Sequence, residues 1–427
     1  MTDSLLMRAT SLAGLGVLVA LAWCLSENRR LMPWRLVFWG VALQFAFGVI
    51  VLRTAAGRWF FDGVRAAFDL LTAASTAGAE FVFGNLTRFF LIQSVVAAGA
   101  DGQMAAQASY PVSAVVAFNV LPTIILVAGV AGILTHLGVV QVVIRAIAWV
   151  MQRTLKTSGA ETFAAALQIF TGIESAAAYG EYMKKMTRSE LFVVEVSFLA
   201  SIAASVMVAY ASFGAEPGHL LAASFMSAPA AIVLAKIMIP ETGVPETCSA
   251  THRFEITIES ENVFYAAARG ASTGLTMALN VGAMLIVFIG LIHLVDMGTV
   301  RLCGMHVNVI LGWAFRPFAV LMGVAWADVP RVGELLATKT VFNEFIAYQN
   351  MQPMIEQHLI SPRSAAVATY ALCGFSNPGS VGIMIGGLSC LAPERRGEIA
   401  AMSLRALAAG TIATFMMACV AGVLTVE

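Results

Sequence analysis

This sequence predicts an all-α polytopic membrane protein, with eight transmembrane helices and two re-entrant hairpins in an inverted repeat. Three observations carry that prediction. The 427 residues are 59% hydrophobic and 12% charged, with 36 glycines and 21 methionines. Mean hydropathy is +0.83, more apolar surface than a water-soluble core can hide. Several runs reach the ~18 residues with few or no charges that a helix needs to cross ~30 Å of hydrocarbon. These runs lack the polar face of a soluble bundle, and helices satisfy their own backbone in lipid. The third observation is a pair of segments, 157–186 and 327–358, at corresponding places in two halves of the chain. They are too polar and glycine-broken to span, yet too apolar for ordinary loops. Irregular backbone at membrane depth is tolerated where protein buries it, so both are read as re-entrant hairpins.

In chain order, spans are expected at 10–26, 36–53, 114–136, 190–213, 219–238, 272–297, 363–388 and 402–424. The first is read as a retained helix, since no basic n-region or cleavage site precedes it. Residues 57–74 and 137–153 carry arginines on one face and aliphatics on the other, as helices lying at the interface do. Residues 239–264 form the long polar connector. Arg29, Arg30 and Arg35 follow the first span; Lys184, Lys185 and Arg188 precede the fourth; Arg395, Arg396 and Arg405 precede the eighth. Placing them in the cytoplasm puts Lys236, Arg253 and Arg269 there too, with the N-terminus outside.

Zero formal net charge gives no reason to expect nucleic acid as a partner. The six cysteines are scattered without a CxxC pair, so neither a disulfide framework nor a zinc site is expected. The histidines show no metal spacing, and neither HExxH nor a phosphate-cradling glycine loop occurs. An enzyme has little to stand on, and no cofactor or catalytic residue is expected.

The polar residues inside apolar runs are the candidates for chemistry. In 338–348, TKTVFNEFIAY, Glu344 costs at least ~2.5–3.5 kcal/mol at the bilayer centre and needs a partner or a wet cavity. Either it serves a ligand or Lys339 neutralises it; five residues apart, that pairing needs a helix break. Asn377 and Ser380 share a face if GFSNPGS stays helical. Pro378 and Gly379 argue instead for a break that frees backbone groups, or for a plain kink. Phe375 beside them either stacks on a ring or packs. Ser197, Ser201 and Ser205 form a stripe suited equally to close packing and to ion ligation. Glu195 is expected to snorkel and pair with Arg188. Glu174 follows Gly172 in the first hairpin, where a carboxyl that protonates when buried and ionises when exposed can carry a proton. The repeat pairs 173–205 with 343–384, and in inverted repeats the site lies near the midplane where broken helices meet.

These residues resemble a known family, the concentrative nucleoside transporters, over nearly the whole chain. The resemblance is carried by GAEFVFGNL (78–86), FNVLPTIILVAGV (118–130), LGVVQVVIRAIAWVMQ (137–152), TSGAETF (157–163), MTRSELF (186–192) and LASIA (199–203). It continues through TKTVFNEFIAY and CGFSNPGSVGIMIGGLSCLAPERRGEIA (373–400). It implies secondary active import of nucleosides with sodium or protons, a transport domain moving against a scaffold, and a homotrimer in the lipid of the cell's inner membrane. Four regions are expected: 1–136, scaffold helices 1–3 with an interfacial helix; 137–238, the first transport-domain repeat; 239–298, the cytoplasmic connector and scaffold span 6; and 299–427, the second transport-domain repeat. Glu344, Asn377 and Ser380 match the family's ribose-binding acid, asparagine and serine, and Phe375 its aromatic.

The first half departs from the pattern. Where the family has Gly-Gln-Ser/Thr-Glu, this chain has Gly172, Ile173, Glu174 and Ser175, so the base-reading glutamine is replaced and the acid displaced by one. The family's sodium-ligand positions fall on Gln168, Thr171, Ser201 and Ile202, with glutamine in place of asparagine. Proton coupling through Glu174 is preferred over sodium at those four positions. The rival within the class is a divergent member with a non-standard substrate; outside it, the rivals are a channel or a membrane enzyme.

Overall fold

The computed structural model describes residues 2–87, 90–93, 109–112, 116–171, 176–246 and 262–425. Helices α1 (Thr2–Cys24) and α2 (Trp34–Arg53) open the chain. A third helix, α3 (Ala55–Phe83), starts where the Thr54 hydroxyl accepts from the Gly57 N–H at 3.0 Å. It continues well past the 57–74 segment expected at the interface. An antiparallel ribbon pairs β1 (Phe90–Gln93) with β2 (Ser109–Val112), Phe90 facing Val112. Helix α4 (Val116–His136) then turns by 76° into α5 (Val139–Leu155). The turn passes through Gly138, whose φ of 80° is one that glycine adopts without strain.

One element order then occurs twice. After α5 come two short helices, α6 (Gly159–Thr171) and α7 (Ala176–Met183), and a broken helix, α8 (Arg188–Ala200) and α9 (Ala204–Ser212). A long helix, α10 (Pro217–Met238), completes the set. Helix α11 (Val263–Cys303) separates the halves. The second series is α12 (Val307–Leu321), the pair α13 (Val329–Val341) and α14 (Glu344–Glu356), the broken α15 (Pro362–Leu372) and α16 (Pro378–Leu391), and α17 (Arg396–Leu424). Asparagine and proline chemistry sets the second set of breaks: Asn343 and Asn377 are extended caps, and Pro378 opens α16 without needing its missing N–H.

Among the described residues, six helical stretches are long and apolar enough to cross a membrane, or seven if the bent α4–α5 pair is one span. The segment expected to span as 363–388 is two short helices. The span expected at 272–297 is a 41-residue helix, because its polar flanks continue the helix beyond the apolar window. At ~1.5 Å per residue it is about 60 Å long, twice the hydrocarbon thickness. The core lies around α8–α9, α10 and α17, whereas α11 is largely exposed and packs along α4. Helix α1 lies against α12 and α17, and α2 against α10 and α17.

The basic loops gather at one end. Arg188, opening α8, and Arg405 of α17 both pair with Glu27 in the α1–α2 loop, the first at 2.9 Å. Lys236 of α10 pairs with Glu161 of α6 at 2.7 Å and with Glu241 at 3.0 Å. Partial burial pushes the Glu241 carboxyl up, but the Lys236 ammonium and hydrogen bonds from Lys236, Thr187 and the Gly243 N–H outweigh it and hold it below the ordinary glutamate value.

Candidate functional site

The two broken helices meet at their breaks. The Phe375 N–H donates to the Ser201 carbonyl at 3.2 Å, and the Ser376 hydroxyl to the Leu199 carbonyl at 2.8 Å. Gly374 makes the crossing possible. A Cβ there would stand 2.5 Å from Cγ2 of Thr414 and 3.1 Å from the carbonyl oxygens of Leu199 and Ala200.

The break between α15 and α16 aims two helix starts at one place. Oδ1 of Asn377 accepts the Ser380 N–H at 2.9 Å, capping α16, while its Nδ2 donates to Oε2 of Glu344 at 2.7 Å. Oδ1 of Asn343 accepts the Ile346 N–H at 2.9 Å, capping α14. Glu344 is the first residue of α14, so the positive ends of two helices face its carboxylate. The Tyr210 hydroxyl donates to Oε1 at 2.9 Å. Tyr210 is held in turn by stacking on Tyr348 at 4.4 Å, whose hydroxyl donates to the Thr369 carbonyl at 2.8 Å. Each carboxylate oxygen thus has one fixed donor and one lone pair to spare.

The spare lone pairs belong to a cavity of about 400 Å³, the size of a small-ligand pocket. Glu344, Asn377, Ser380 and Phe375 line it together, so the structure assembles all four second-half candidates in one place. Phe198 stands 5.9 Å from Phe375 across its wall, and α11 contributes Thr276 and Asn280. The sequence reading missed Tyr210, Asn280 and Thr276. An asparagine within the apolar run TMALNVGAML was the available signal for Asn280; Tyr210 lies 134 positions from Glu344, and no local pattern announces it.

Lys339 does not pair with Glu344. It is fully buried, donates to the Thr414 hydroxyl at 2.9 Å and lies 5.8 Å from the Phe415 ring centroid. Glu195 corrects a second expectation. It does not snorkel to Arg188, which Glu27 has taken; it is fully buried and neither of its oxygens has a hydrogen-bond partner.

In the first hairpin, Gly172, Ile173, Glu174 and Ser175 lie outside the described residues, as does the side chain of Thr171. Gln168 is fully buried. Its Nε2 donates to the Tyr179 hydroxyl at 2.8 Å and to the Val194 carbonyl at 3.3 Å, while Oε1 has no partner. The Ser201 hydroxyl donates to the Gln168 carbonyl at 3.4 Å, and Ile202 sits buried in the break beside it.

Known proteins match this arrangement along the chain. The model for the Na+ dependent nucleoside transporter N-terminus fits residues 13–86, a gate model described as nucleoside recognition fits 117–217, and the C-terminus model fits 219–422. Solute carrier family 28 member 3 of Rattus norvegicus is 37% identical over 437 residues, covering 97% of this chain and 58% of that protein. This chain therefore spans little more than half the length of that relative. The uncharacterized transporter YutK of Bacillus subtilis (strain 168) is 38% identical, with 96% of this chain and 98% of that one covered. The structure of CNTnw in an inward-facing substrate-bound state superposes with a TM-score of 0.86 at 34% identity, covering 97% of this chain and 98% of the other. With its crossing helices and this agreement end to end, the chain is a multi-pass membrane protein of the concentrative nucleoside transporter family.

Proposed function

We propose that the chain is a symporter that imports nucleosides, or a close ribosyl compound, across the cell's inner membrane by alternating access. The observation that carries the reading is Glu344. It is a carboxylate with both oxygens half-satisfied by Tyr210 and Asn377, its spare lone pairs beside a cavity lined by Ser380 and Phe375. Two acceptors on one planar group suit a vicinal diol, which a ribose ring presents. Phe375 offers an apolar wall for a ring, and Asn280 and Thr276 supply polar groups from the opposite helix. A channel has no use for such a closed set of donors, and the family is one of transporters rather than enzymes.

For motion, α4 and α11 form the fixed scaffold; α1 and α2, expected in the scaffold with them, pack instead on α10, α12 and α17 of the two repeats and go with the moving body. Eight crossings, two re-entrant hairpins and a homotrimer complete the proposal. The coupling ion is Na+ or H+. The donor set suits sodium at Gln168, Thr171, Ser201 and Ile202, because the buried Oε1 of Gln168 lacks a partner and is an oxygen a hard cation accepts. For a proton, Glu174 is the first-hairpin carboxyl.

The test is counterflow of labelled nucleosides into proteoliposomes, with free nucleobases and sugars as competitors. Exchange of nucleosides that ribosides inhibit and free bases do not is expected. Exchange that no riboside inhibits would overturn the reading.

A further inference from the structure

One carboxyl of the first repeat plays no part in the site above. Glu195 sits in the middle of α8, 0% exposed, with no hydrogen-bond partner on either oxygen. Its neighbours on the helix, Leu191, Phe192 and Leu199, are equally buried.

The cations that act on it through space are engaged elsewhere. Arg188 holds Glu27 at 2.9 Å. Arg395 holds Glu398 at 2.7 Å and the carbonyls of Met183 and Met186 at 2.8 and 2.6 Å. Glu398 adds like charge. Lys236 and Glu161, the charges that α10 and α6 bring to α8, are bound to each other; α16 carries none, and Arg405 of α17 is on Glu27. An ionised carboxylate here would give up its hydration without a counter-ion or donor in return. The neutral acid is the form these surroundings accept.

We propose that Glu195 is a proton-binding site of the moving body, a carboxylic acid in the arrangement seen here and ionised in another arrangement of the same cycle. The O–H bond forms with a proton taken from water on one side of the membrane and breaks to release it to water on the other, leaving the carboxylate. The candidate partners of the ionised form are the two cations whose charge already acts on it, Arg188 and Arg395. Turning Arg188 to it leaves Glu27 to Arg405 alone; turning Arg395 to it unties Met183 and Met186 after α7. Protonation is thereby linked to how the end of α7 is held. The role in coupling rests on the transport reading above; the protonation does not.

Two measurements separate these. Infrared spectra of the full chain in lipid at neutral pH should show a carboxylic-acid carbonyl band that E195Q abolishes and E195D shifts. A spectrum unchanged in E195Q overturns the proposal whatever the substrate is. In proteoliposomes without sodium, an inward proton gradient should drive nucleoside accumulation by the wild type. E195Q, isosteric with the neutral acid, should keep counterflow and lose the gradient-driven accumulation. Accumulation retained in E195Q, or a wild type that exchanges nucleoside but ignores the gradient, overturns the coupling role. Failure of every nucleoside to exchange sinks the transport reading instead, and the infrared comparison still decides the protonation.

Discussion

Glu344 shows how much one residue depends on its setting. Its carboxylate is oriented by a tyrosine from α9, an asparagine from α16 and its place at the start of its own helix. Replacing it by glutamine keeps the shape, removes the charge and turns one acceptor into a donor facing Asn377 or Tyr210. Hydrogen bonds to a charged group are worth about 1.5–3 kcal/mol, so nucleoside affinity should fall at least about tenfold. Substrates lacking one ribose hydroxyl should lose less in E344Q than in the wild type, as competition assays would show. Equal losses would mean that Glu344 does not read the sugar. The pattern NEF made this residue legible as a candidate, whereas Tyr210 became visible only once α9 was folded against α14.

Asp328, in the turn between α12 and α13, is a second residue whose surroundings set its behaviour. Burial pushes its carboxyl up, but the Ser364 hydroxyl, the Ser361 N–H and hydroxyl, and Arg331 outweigh that and hold it below the ordinary aspartate value of 3.8. A depressed folded value adds stability above the unfolded value and gives it up as pH falls through the folded one. Thermal unfolding in detergent should therefore show a wild type more stable than D328N at neutral pH, with the difference shrinking as pH drops below 3.8. A difference that grows in acid would reverse the sign and sink this account.

At the scale of elements, the crossing of the two broken helices is the tightest feature of the fold. Gly374 leaves no room for a methyl group between Thr414 and the carbonyls of Leu199 and Ala200. G374A must push Thr414 aside, which also removes the hydroxyl that receives the buried Lys339 ammonium. Overpacking of this kind costs about 1–3 kcal/mol, and with the Lys339 contact disturbed, a loss toward the upper end is expected. Denaturation midpoints of the variant against the wild type would measure it; an unchanged midpoint would mean the crossing is looser than it looks. Pro378 and Gly379 pointed to the break between α15 and α16, with a plain kink as the other reading. That the two breaks bond to each other was beyond any local signal, because Phe375 and Ser201 lie 174 positions apart.

At the scale of the whole molecule, the basic loops converge. Glu27 receives both Arg188 and Arg405, and Arg395 reaches the carbonyls of Met183 and Met186. The loops that the charge rule assigns to one side of the membrane thus lie together. Cysteines placed in the 239–264 connector and in the Arg395–Arg396 turn should react with an impermeant reagent from the cytoplasmic face. Labelling from opposite faces would break the inverted-repeat assignment.

Composition and hydropathy by themselves determined the membrane class and most of the crossing segments, because burial in lipid demands long apolar helices whatever their partners. Short polar motifs marked Glu344, Asn377, Ser380 and Phe375, because isolated polar groups in apolar runs are costly wherever they stand. The tertiary structure alone decided who satisfies them. Lys339 went to Thr414 rather than to Glu344, and Glu344 went to Tyr210 and Asn377. Arg188 went to Glu27, leaving Glu195 buried without a partner. Hydrogen bonds and ion pairs are won by whichever group folding brings within about 3 Å, and distance along the chain carries almost no information about that competition.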